Sequence, residues 1–134
     1  MPQRGWDTVT VPGAVSGWVA FWRRHGSLPF ATLFGPAIGY ARDGFPVSPA
    51  IAALWAKGGA VLRDQPGFAD CFLPGGRAPR AGEIFRNPDL ARSLELIAET
   101  EGEAFYRGPL AEAIAVAGLL PEPIQGARPS DPFR

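Results

Sequence analysis

The stretch Asn87-Pro88-Asp89-Leu90-Ala91-Arg92-Ser93-Leu94-Glu95-Leu96-Ile97-Ala98-Glu99 carries the clearest helical pattern in the chain. Asn87 is a residue type whose short side chain caps free amides at a helix start. Pro88 suits the first helical position, where a missing N–H costs nothing. Leu90, Ala91, Leu94, Ile97 and Ala98 recur at helical spacing and form one apolar stripe. Gly102 ends or bends the helix. The same grammar recurs on both sides.

Upstream, Ser48-Pro49 opens a helix with Ile51, Leu54 and Trp55 facing inward and Gly58-Gly59 as its stop. Before it, a helix starts at Pro29 with Ser27 near its N-cap. Phe30, Leu33, Phe34, Ala37, Ile38 and Ala41 share its face, Pro36 predicts a kink or restart, and Gly44 ends it. Earlier still, Val15, Trp18, Val19 and Trp22 fall at helical spacing. Arg23, Arg24 and His25 occupy the last turn, where cations suit the negative helix end. Gly26 is expected to close that helix in a left-handed conformation. The alternation in residues 7–11 predicts a short strand.

Residues 60–86 are the least regular part. Pro66-Gly67 and Pro74-Gly75-Gly76 mark turns, and Phe72-Leu73 with Ile84-Phe85 suggest a loose hairpin. Downstream, Gly108-Pro109 opens a last helix bearing Leu110, Ile114 and Ala117 on one side. We expect a partial domain over 1–118 and a disordered, proline-rich tail over 119–134.

Composition sets bounds. The 134 residues suit about one domain, and 46% hydrophobic content is ordinary for a globular protein. Thirteen basic and thirteen acidic residues cancel, so no net field favours nucleic acid or an anionic membrane as partner. No apolar run approaches the roughly 18 residues of a membrane span. Met1-Pro2-Gln3-Arg4 lacks a signal-peptide apolar core, which points to the cytoplasm rather than secretion. With 17 glycines and 15 prolines spread through the chain, short helices with frequent stops are expected.

Few residues offer chemistry. His25 is the sole histidine, and its helix-end position gives it a structural role. Cys71 is the sole cysteine, has no basic cluster beside it in sequence, and reads as an inert thiol. Gly58-Gly59 and Gly75-Gly76-Arg77 match no phosphate-binding loop. Glu95, Glu99, Glu101 and Glu103 could pair for acid–base work but read as a solvated helix face. Trp18, Trp22 and Trp55 could stack a ligand but sit at core spacing. Arg77, Arg80, Arg86 and Arg107 could hold a carboxylate or form surface ion pairs. No catalytic, cofactor-binding or metal-binding residue emerges, and no cofactor is implied.

Beyond these patterns stands a series of phrases. They include Asp7-Thr8-Val9-Thr10-Val11-Pro12-Gly13-Ala14-Val15, Leu28-Pro29-Phe30, Asp43-Gly44-Phe45-Pro46-Val47-Ser48, Asn87-Pro88-Asp89-Leu90-Ala91 and Ala104-Phe105-Tyr106-Arg107-Gly108. In this order they resemble the large-subunit segment of the γ-glutamyltransferase family, over roughly residues 6–117. Gln65-Pro66-Gly67-Phe68, Phe72-Leu73-Pro74 and Gly76-Arg77-Ala78-Pro79 are most similar to a bacterial branch that includes oxamate amidohydrolase-like members.

The resemblance implies a mainly α segment, with at most a few short strands, from a four-layer αββα N-terminal nucleophile hydrolase. In that family a precursor cuts itself to expose a threonine on the small subunit. The threonine hydroxyl attacks an amide with its own amine as base. The acyl group then passes to water or to an amine. Glutathione-type compounds or oxamate-like amides are the implied substrates. The resemblance carries no family catalytic residue onto a position here, so this chain alone is expected to be inactive. Its expected partner is the small subunit or the rest of the precursor, with homo-oligomer contacts through exposed apolar faces as a further expectation. The competing reading is a non-catalytic helical assembly module, or one half of a split enzyme.

Overall fold

The computed structural model describes residues 10–65 and 67–116. The described chain is mainly α. It comprises α1 (Ala14–His25), α2 (Phe30–Asp43), β1 (Phe45–Pro46), α3 (Pro49–Leu62), α4 (Phe68–Phe72), a 3-10 turn (Pro74–Gly76), β2 (Ile84–Phe85), α5 (Pro88–Glu99), α6 (Glu103–Arg107) and α7 (Pro109–Ile114). The described residues fall into two compact units, one formed by those before Pro36 and after Ala91, the other by those within Pro36–Ala91.

In the first unit, Val15 and Val19 of α1, Phe30 and Phe34 of α2, Ile97 and Ala98 of α5, and Ala104 of α6 are buried. Three ring pairs knit this core. Trp22 meets Phe30 at 5.1 Å, Phe30 meets Phe34 at 4.9 Å, and Trp18 meets Phe34 edge-on at 6.1 Å. Tyr106 fixes the start of α1. Its hydroxyl donates to the Pro12 carbonyl at 2.7 Å and accepts the Ser16 N–H at 2.9 Å. The amide it satisfies is one of those a helix leaves free in its first turn.

The end of α1 corrects the expectation for Gly26. Its φ is −72° and ψ 138°, which is extended and open to any residue. Glycine is required there for space. A Cβ would lie 2.2 Å from Trp22 Cδ1, because the chain folds back over the indole. The Trp22 Nε1–H donates to the Leu28 carbonyl at 2.8 Å and holds that turn.

Helix α2 begins at Phe30, one residue beyond the expected start, and runs through Pro36 without a restart. Pro36 removes one helical hydrogen bond. The boundary between the two units falls at this residue. Gly44 ends the helix as expected, with φ +94° and its N–H donating to the Tyr40 carbonyl at 3.1 Å.

The second unit is built on an antiparallel pairing that sequence proximity did not suggest. The partner of Ile84–Phe85 is Phe45–Pro46, in the register Phe45↔Phe85 and Pro46↔Ile84. Phe72 belongs to α4 instead, and Leu73 follows it. Around the pair, Val47 N–H donates to Glu83 and Gly82 N–H to Val47, at 2.9 and 2.8 Å. Asn87 N–H reaches the Ala41 carbonyl at 2.8 Å. Val47, Leu73, Phe85, Ala41 and Ala91 are buried within this unit.

Helix α3 also departs from expectation. Ser48 caps it through the Ile51 N–H at 3.3 Å, but Gly58-Gly59 do not stop it. Gly59 is buried inside the helix, and a Cβ there would stand 3.0 Å from Leu73 Cδ2. The glycine is a contact point for the segment after α4. Of the three residues expected to face inward, Trp55 is half-buried, while Ile51 and Leu54 are exposed, Leu54 at 63%.

Helix α5 follows the sequence most closely. Asn87 Oδ1 accepts the Leu90 N–H at 2.9 Å, and Asn87 Nδ2 donates to Cys71 Sγ at 3.2 Å. Ala91, Ile97 and Ala98 are buried, Leu94 is half-buried and Leu90 is exposed. We expect Asn87→Ala to lower stability by about 1 kcal/mol, the usual cost of an N-cap. Urea unfolding should show the loss, and Asn87→Asp should recover most of it. An unchanged midpoint in Asn87→Ala would show the cap to be energetically idle.

The strand expected over residues 7–11 lies mostly outside the described residues, and Thr10 and Val11 are irregular. Ala117 and the tail over 119–134 also lie outside the described residues.

Candidate functional site

The chemistry-bearing residues are dispersed into structural contacts. His25 is exposed on the last turn of α1 with its ring 4.9 Å from Phe21. Cys71 is half-buried in α4 against Asn87. The glutamates do not converge. Glu101 pairs with Arg23 at 3.2 Å, and Glu103 pairs with Arg107 at 2.9 Å within α6. Glu95 is half-buried on α5 and Glu99 exposed. The Glu103–Arg107 pair has the acid one turn before the base, the favourable order on a helix. Among the described residues, no three His, Cys, Asp or Glu side chains gather as a metal site would need. No described helix is long and apolar enough to cross a membrane.

Trp18, Trp22 and Trp55 make structural contacts. Trp18 and Trp22 brace the first unit as described above. In the second unit, Trp55 Nε1–H donates to the Phe72 carbonyl at 2.9 Å, and its ring lies 4.6 Å from Phe85. The indole N–H groups of Trp22 and Trp55 are each spent on a main-chain carbonyl, which fixes those rings in place.

A cleft of about 330 Å³ lies in the second unit, between α3 and the turn after α4. Ala56, Gly59, Ala60, Leu73 and Ala78 give it an apolar wall, and Arg63 and Arg77 add guanidinium groups. Arg77 is already engaged. Its Nη1 and Nη2 donate to the two Glu83 carboxylate oxygens at 2.9 and 2.8 Å, and Nη1 also reaches the Ala78 carbonyl at 3.1 Å. The Arg80 N–H donates to Glu83 Oε2 at 2.9 Å. Glu83 therefore ties the loop from 77 to 83 into a closed clasp. Of the other arginines read as carboxylate-binding candidates, Arg80 joins this clasp through its main chain, Arg107 binds Glu103, and Arg86 is exposed at the end of β2.

Glu83 was not legible as a partner in the sequence. It lies six residues past Arg77 across a proline-containing turn, a spacing without helical or strand meaning. Its carboxyl is lowered from 4.5 to about 2, chiefly by the Arg77 hydrogen bonds and next by the Arg80 N–H. The folded value is below the unfolded one, so the clasp contributes fully above the ordinary glutamate range. That contribution fades as pH falls from about 4.5 towards 2. Glu83→Gln should therefore be less stable than the parent at pH 7, and the gap should close as pH approaches 2. Paired denaturation curves across this range test it. A gap independent of pH would assign the effect to packing rather than charge.

The family of the chain follows from comparison with known proteins. The gamma-glutamyltranspeptidase family model matches residues 1–117. The chain belongs to that family. It is 46% identical over 121 residues to an oxamate amidohydrolase proenzyme of Klebsiella pneumoniae, covering 86% of this chain and 23% of that protein. It is 44% identical over 115 residues to a glutathione hydrolase-like proenzyme of Bacillus subtilis, covering 85% of this chain and 22% of that protein. Among solved structures, a cephalosporin acylase from Bacillus halodurans superposes with a TM-score of 0.81 at 43% identity, over 87% of this chain and 23% of that one. A gamma-glutamyltranspeptidase from Helicobacter pylori gives 0.78 at 28% identity, over 86% and 33%. The chain thus spans less than a quarter of the length of these two curated relatives.

Proposed function

We propose that this chain is a helical supporting region of the large subunit of an amide-cleaving γ-glutamyltransferase-family enzyme. The family match over residues 1–117 carries this reading. The relatives' names give the reaction class: oxamate amidohydrolase, glutathione hydrolase and acylase all break an amide bond. Several are named as proenzymes, which supports a precursor that matures by cleavage. In the complete enzyme the nucleophile would be an N-terminal threonine whose own amine accepts the proton. The present residues would hold shape around that site rather than react. Residues 1–118 are the family portion in this reading, and residues 119–134 a proline-rich extension.

The exposed apolar side chains support an assembly role. Phe21 and Leu33 in the first unit, and Leu54 and Val61 in the second, are open to solvent. In this reading they meet the rest of the precursor, or a further copy of the chain.

Two measurements test the reading. The purified chain should release no product from γ-glutamyl-p-nitroanilide or oxamate. Turnover above a buffer blank that survives repurification would overturn the supporting role. Residues 1–117 should also replace the matching segment of the Klebsiella oxamate amidohydrolase proenzyme. The chimaera should still cut itself and hydrolyse oxamate. A soluble, folded chimaera that fails to mature would show that the segment does not serve this fold.

A further inference from the structure

We draw no further inference here: the strongest candidate, the apolar stripe of Ile51, Leu54 and Val61 on the exposed side of α3, carries nothing because nothing in the structure shows what covers it.

Discussion

Phe30→Ala is expected to lower the stability of this chain by about 3–5 kcal/mol, the range for emptying an aromatic core position. Phe30 is 4% exposed at the first turn of α2, between Trp22 and Phe34 at centroid distances of 5.1 and 4.9 Å. Truncation removes its buried area, leaves a void in close-packed surroundings and breaks both ring pairs. Phe21, at 70% exposure, is the internal control. Phe21→Ala should change stability by no more than about 0.5 kcal/mol. Urea unfolding at one fixed protein concentration compares the two. Equal shifts in midpoint would mean that the first unit is not organised around Phe30.

Gly44→Ala should be nearly as damaging, for a different reason. Its φ of +94° disfavours any side chain, and an added Cβ would lie 2.5 Å from Ile84 Cγ2 and 2.9 Å from the Phe85 carbonyl oxygen. The carbonyl belongs to the β1–β2 pairing and has little room to move. Left-handed strain of about 1–2 kcal/mol and overpacking of about 1–3 kcal/mol together give about 2–5 kcal/mol. Gly39 sits inside α2, the helix that Gly44 ends, with nothing within 4 Å of its ideal Cβ. Gly39→Ala should be stabilising by about 0.5–1 kcal/mol, because it restricts the unfolded chain and improves helix propensity. Opposite signs from the two substitutions are the expected result. A neutral Gly44→Ala would show that the turn into β1 relaxes without cost.

The contrast between Leu94 and Ile97 shows how far periodicity reads. Both lie on the apolar stripe of α5, yet Ile97 is buried and Leu94 only half-buried. Periodicity finds the stripe, but it does not say how much of the stripe finds cover. The same holds for α3, whose expected inner face contains the exposed Leu54. Conformational freedom is what glycine supplies at Gly44, where φ is +94°. At Gly26 and Gly59 the need is space beside Trp22 and Leu73, and no local pattern encodes a neighbour that only folding supplies. The Arg77–Glu83 clasp was invisible for a similar reason, since a turn and not a regular repeat brings the pair together.

By itself the sequence determined the family, through ordered phrases spread over most of its length, and the helical starts at Ser48-Pro49, Asn87-Pro88 and Gly108-Pro109. Those starts are local. A side-chain acceptor satisfies a free amide of the first turn, or a proline removes one, so neighbouring residues suffice to specify them. Tertiary structure alone decided the pairing of Phe45–Pro46 with Ile84–Phe85 and the clasp of Tyr106 on Pro12 and Ser16. It also selected which apolar side chains became core. These contacts join residues some 40 to 90 positions apart. Closing such loops costs chain entropy that no short pattern offsets, and only packing of the assembled helices makes the contacts worth forming.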